Sequence, residues 1–194
     1  MTNSTPQPVY FSVSNSKFIV MSIMTLGVYD VYWFYQNWKR VQSHSGENIS
    51  LFWRVLFSNF YFYSLIKRMN ASAREVGIRE SLNPTWLTLV FLVLTLTGLC
   101  PSPYLYLGLL AFLPLYPAQS LISRINLHHN PNLIPNNRYS GKNILGILGI
   151  LAFAILTYWF MTRVFPDMLI QFREMVMSNG ILLPNRMLNS IYDV

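Results

Sequence analysis

The stretch SLNPTWLTLVFLVLTLTGLCPSPYLYLGLLAFLPLYPAQSLIS, residues 81–123, lies between Glu80 and Arg124 and runs for 43 residues without an Asp, Glu, Lys or Arg. As α-helix at about 1.5 Å per residue it would extend roughly 65 Å, about two crossings of a ~30 Å hydrocarbon core. A break is needed near its middle. Cys100-Pro101-Ser102-Pro103 supplies one, because proline lacks an N–H and fixes its own φ. The stretch therefore predicts a helical hairpin over residues 85–99 and 104–122, its second arm short or kinked at Pro114 and Pro117.

Working outward, residues 143–162 form a second charge-free run, between Lys142 and Arg163. Its length suits one crossing, and Tyr158, Trp159 and Phe160 sit near its far end, where aromatic rings favour the interface. Gly146, Gly149 and Ala152 recur every three residues, a small-residue face that lets helix backbones approach in lipid and marks a place for self-association or for another membrane protein. Towards the N-terminus, residues 18–38 are long enough to span but contain Asp30 and Gly27, and residues 51–66 carry Arg54. This pair is either a spanning hairpin or two helices lying partly in the interface, with Arg54 snorkelling or paired. The expected architecture is an all-α membrane protein of about five hydrophobic helices in a single polytopic domain over residues 1–194. Its parts are an N-terminal hairpin at 17–68, a three-span part at 84–163 and an amphipathic surface tail at 164–194.

Composition agrees. Residues are 53% hydrophobic and 11% charged, against about 25% charged in soluble domains. The net charge of +7 comes from fourteen Lys and Arg scattered between apolar runs, which argues against a nucleic-acid surface, since that needs clustered cations. Cys100 is the single cysteine, without Cys or His at metal spacing, so it reads as a small apolar filler. The first apolar run follows Lys17 without a basic leader or small-residue cleavage site, so no cleavable signal is expected.

With five crossings, the N-terminus and the loops 67–84 and 123–143 share one side. That side carries Lys17, Lys67, Arg68, Arg74, Arg79, Arg124, Arg138 and Lys142; the other carries Lys39, Arg40, Arg163, Arg173 and Arg186. The bias places the N-terminus in the cytoplasm and the C-terminus outside. If the first two segments do not cross, Lys39 and Arg40 join the cytoplasmic side and the bias grows.

The polar residues inside apolar runs need a reason. Ser22, Gly27, Asp30, Trp33 and Asn37 share one helical face, and Arg54, Ser58 and Tyr61 make a similar stripe on the next segment. An unpaired carboxylate in such a helix costs several kcal/mol, so Asp30 is expected to pair with Arg54 as a clamp, with interface snorkelling and proton or ion handling as the other readings. The candidate polar cluster is Asp30, Trp33, Asn37, Trp38 and Arg54, with Gln119, Asn126, His128 and His129 as further candidates. His128 and His129 are adjacent in a proline-rich loop without a neighbouring acid, which is poor metal spacing. No nucleophile elbow, zinc motif, phosphate loop or dinucleotide fingerprint occurs, so no catalytic residue, cofactor or metal is assigned.

The run Tyr10-Phe11-Ser12-Val13-Ser14, Lys17-Phe18, Met21-Ser22, Thr25-Leu26-Gly27-Val28-Tyr29 and Tyr32-Trp33-Phe34-Tyr35-Gln36-Asn37-Trp38-Lys39 resembles a group of small bacterial integral membrane proteins. That group is marked by a Tyr-Trp-x-Tyr-x-Asn-Trp signature. Phe52-Trp53-Arg54, and Gln119 with Ile122, Ile125 and Asn126, are similar to it as well, so the likeness covers roughly two thirds of the chain. The group has no established activity. The resemblance implies a multi-pass protein of the bacterial cytoplasmic membrane, with an acidic residue near the position of Asp30. The function expected is a non-enzymatic accessory, assembly or scaffold component that binds lipid or other membrane proteins. The alternatives are a small oligomeric transporter or channel using Asp30, Asn37 and Arg54, and a membrane-embedded lipid-modifying enzyme using Asp30, His128 or His129.

Overall fold

The computed structural model of the chain describes residues 8–100 and 103–178. The described secondary structure is helical apart from one isolated parallel bridge between Val13 and Asn136. The chain divides into two compact units, one up to Ile147 and one from Leu148.

In the first unit, α1 (Asn15–Met24) starts where the Ser14 hydroxyl accepts from the Lys17 N–H, a serine N-cap. It ends at a turn through Leu26 and Gly27, both at positive φ (51° and 85°). The chain reverses there into α2 (Val28–Ser45), since Phe18 packs on Tyr29 and Trp33 across the pair. Residues 18–38 are therefore not one spanning helix. Ten residues give α1 a length of only about 15 Å, and the Thr25-Leu26-Gly27 reversal overrides the largely apolar pattern.

The second N-terminal segment is also broken. A short α3 (Leu51–Leu56) meets α4 (Ser58–Glu75) at Phe57. α4 continues through the polar residues after Lys67, because Met69, Asn70 and Ala73 keep one face buried. α5 (Pro84–Thr97) begins with Asn83 as N-cap and Pro84 in the first turn, the position where a missing N–H is harmless. α4 and α5 run antiparallel, with Asn70 beside Leu82 and Phe62 beside Phe91. The rings of Phe34, Phe62 and Phe91 lie 5.4–5.6 Å apart and tie α2, α4 and α5 into one core.

The expected arm over residues 104–122 is likewise not a single helix. A four-residue α6 (Leu105–Gly108) and a series of turns lead to α7 (Leu115–His129). Helix continues past Ser123 because Ala118, Gln119, Leu121, Ile122, Ile125 and Asn126 present one buried stripe. α5 and α6 approach at two glycines. A Cβ on Gly108 would lie 2.6 Å from the Gly98 Cα, so only glycine fits that crossing.

α8 (Gly141–Trp159) continues through one π-helical segment, Phe160–Val164, into α9 (Phe165–Ser178). Among the described residues, Gly141–Val176 is the one helix long and apolar enough to cross a membrane, and no residue of its apolar stretch is buried. The tail expected to lie on the surface thus begins as a continuation of this helix, and residues 179–194 fall outside the described ones. Fourteen-residue α5, about 21 Å long, is apolar but shorter than a ~30 Å core.

Candidate functional site: an amide clamp on the N-terminal segment

Residues 9–13 precede α1 as a non-helical segment laid into the first unit, with Tyr10 and Val13 nearly inaccessible at 2% and 1%. A buried backbone outside a helix or sheet must have its N–H and C=O groups met by side chains. Three amides do this. Asn126 of α7 accepts from the Tyr10 N–H at 3.0 Å and donates to the Tyr10 carbonyl at 3.1 Å. Asn37 of α2 accepts from the Phe11 N–H at 3.2 Å and donates to the Trp33 carbonyl at 2.9 Å. Gln119 of α7 donates to the Val13 carbonyl at 2.7 Å and accepts from the Trp33 indole N–H, also at 2.7 Å.

Further ties extend the clamp. The Gln119 Nε2 also donates to Ser123, whose hydroxyl donates to the Asn15 Oδ1. The Tyr10 hydroxyl meets Ser72 of α4, and burial pushes its pKa up against the lowering effect of that hydrogen bond. Lys17, buried at the start of α1, donates to the Arg138 carbonyl at 2.7 Å and to Asn136 at 3.2 Å, and burial lowers its pKa. Backbone bonds between Ser12, Ser14 and Asn136 fasten the same place from outside.

Trp33, Asn37, Gln119 and Asn126 are thus brought together, although α2 and α7 are far apart in sequence. Their chemistry is that of a latch. The three amides are neutral, and each uses both its oxygen and its nitrogen on the protein itself.

Asp30 and Arg54 are not brought together. Asp30 is buried near the α1–α2 turn and accepts from the Ser22 hydroxyl. Arg54 lies instead over the Trp38 ring, 4.1 Å from its centroid, and 5.0 Å from that of Tyr61. The expected ion pair fails because a nearby hydroxyl already serves the carboxylate, while planar guanidinium stacks well on aromatic faces. Trp38 is fully buried, yet its indole N–H has no hydrogen-bond partner.

His128 and His129 close α7 on an exposed surface, and His129 Nδ1 lies 3.0 Å from the Ile125 carbonyl. Among the described residues no group of three or more His, Cys, Asp or Glu is placed to hold a metal. Sequence reasoning gave no site role to Lys17, Tyr10 and Asn70, and did not pair Ser22 with Asp30. Only Ser22 carried a signal, its place on the Asp30 face. Asn70 forms a second two-point clamp, donating to the Leu82 carbonyl at 2.8 Å and accepting from its N–H at 3.0 Å.

Comparison with family models, with curated proteins and with solved structures finds no match to this chain.

Proposed function

We propose that the chain is a non-enzymatic component of a bacterial cytoplasmic membrane, an accessory, assembly or scaffold subunit that binds lipid or another membrane protein. The observation that carries this reading is where the polar residues go. Asn37, Gln119 and Asn126 hold the N-terminal segment in place, Asp30 and Arg54 are engaged by Ser22 and by the Trp38 and Tyr61 rings, and a large part of the surface left open is apolar and aromatic.

That surface lies at one end of the first unit. Met24, Leu26 and Val28 are exposed at the α1–α2 turn, Leu56, Phe57 and Phe60 at the α3–α4 joint, and Leu96, Leu99, Tyr104 and Leu107 around the α5–α6 approach. The opposite end carries Glu47 with Arg68 and Glu80 with Arg124. In this reading Gly141–Val176 crosses the bilayer, and the apolar tips of the first unit enter a leaflet without reaching through. Ten basic residues, Lys39 and Arg40 now among them, then precede α8 on the cytoplasmic face, and Arg163, Arg173 and Arg186 follow it. The resemblance to the small bacterial membrane proteins points the same way.

Extraction and copurification test this. The chain should stay with membranes through an alkaline wash and leave mild detergent with a stoichiometric unrelated membrane protein or with retained lipid. Release by the wash would overturn the membrane reading. Lipid turnover that disappears in Asp30→Asn or His128→Ala would replace it with an enzyme.

A further inference from the structure

A cavity of about 590 Å³ lies at the polar end of the first unit, between α4 and the segment leading into α5. Lys67, Ala71 and Arg74 form its α4 wall, spaced four and three residues apart and so on one helical face. Ser81, Leu82, Asn83 and Pro84 form the other wall. Asn70 fixes the separation, because its amide holds the Leu82 backbone at two points.

Two cations, Lys67 and Arg74, line the cavity. No acidic residue lines it. Glu47 and Glu80 are engaged by Arg68 and Arg124, and Glu75, which follows Arg74 on α4, is not among the lining residues. The Lys67 ammonium rests 5.4 Å from the Tyr63 ring centroid, which leaves its N–H donors available. Two cations over a concave floor, with a hydroxyl and an apolar lip, match a tetrahedral oxyanion better than a carboxylate or a neutral ligand.

Location narrows the source. Trp86 is exposed at 62%, in the first turn of α5 and just beyond Pro84. The exposed residues that follow on α5 are Leu89, Val93 and Leu96. An exposed tryptophan where an apolar helix surface begins is the usual marker of head-group depth. We propose that the cavity binds a phosphate-bearing anion through Lys67 and Arg74, with an acidic glycerophospholipid as the source that its position favours. The lipid source rests on the membrane reading above; the cation site does not.

The test uses the full chain in detergent and in vesicles. Retention of phosphatidylglycerol is measured by native mass spectrometry for the wild type, Lys67→Gln, Arg74→Gln, Ala71→Leu and Arg79→Gln. Lys67→Gln and Arg74→Gln should each lower retention about ten-fold. Ala71→Leu keeps every charge but adds bulk to the α4 wall between the two cations, and should lower it as much. Arg79→Gln, outside the cavity, should leave it unchanged. An equal fall in all four variants would reduce the effect to diffuse surface charge, and no fall in the first three would remove the site; either result overturns the proposal. Competition by inorganic phosphate would make a soluble phosphate the source, and its failure to compete would make it the lipid. Flotation with neutral phosphatidylcholine vesicles is unaffected by these variants. A wild type that does not float defeats the membrane reading while the detergent measurement still judges the site.

Discussion

The Asn126 side chain grips the backbone of Tyr10 at both its N–H and its carbonyl, across 116 residues of sequence. Asn126→Ala leaves two buried backbone groups without partners, at about 1–3 kcal/mol each. The loss should be about 2–5 kcal/mol, read as a lowered denaturation midpoint, with faster proteolysis inside residues 8–14. An unchanged midpoint would show that the clamp contributes nothing.

Trp33 and Trp38 make a controlled comparison. Both are fully buried, but the Trp33 N–H is bonded to Gln119 and the Trp38 N–H has no partner. Replacing either by Phe removes similar volume. Trp33→Phe should be the more damaging by about 1–3 kcal/mol, because it also strands the Gln119 oxygen. Equal losses in chemical denaturation would mean that the indole bond is immaterial.

Asp30 and Arg54 occupy separate surroundings, so they should behave independently. The effects of Asp30→Arg and Arg54→Asp should add in the double variant to within about 0.5 kcal/mol. Recovery of stability on reversing both charges would restore the ion pair and sink the present assignment. Asp30→Asn, which can still accept from Ser22, should be the mildest change at that position.

Glycines divide by what surrounds them. Gly108→Ala forces a Cβ into the Gly98 backbone and should cost about 1–3 kcal/mol. Gly146→Ala meets nothing within 4 Å and should be neutral, or stabilising by up to about 1 kcal/mol through helix propensity. Thermal melts of the two variants that move together would contradict this division.

Cys100, the single cysteine, is exposed beside the α5–α6 approach and reports on membrane depth without engineering. If the tips enter the leaflet without crossing, a membrane-impermeant maleimide should leave it unlabelled from either face and label it once detergent is added. Labelling from the outer face of intact cells would instead place it in a loop between two full crossings.

The helical class and the charge-free part of the one long apolar helix, residues 143–162, were legible; its continuation through Arg163 and Asp167 was not, and the longer charge-free run 81–123 breaks into helices too short to cross. The interruptions were less legible. Leu26 at positive φ has no sequence signature, and the turns before Pro114 lie in a run whose hydropathy never falls. Trp33 and Asn37 could be singled out by the stripe they share with Asp30, and Gln119 and Asn126 by the resemblance. Their shared target could not, because residues 9–13 have neither charge nor periodicity to advertise burial. Asp30 and Arg54 were matched by opposite sign and by the polar stripes they stand on, and neither shows which partner a serine eight residues upstream or an indole face will win.

The grip of Asn126 on Tyr10 also sets an order of events during synthesis. Residues 9–13 cannot reach their final place until α7 has been made, more than a hundred residues later. Trp33 and Asn37 must therefore wait in an unfinished hairpin with their polar groups open, and the closing of a very long loop becomes the step on which the first unit's assembly depends.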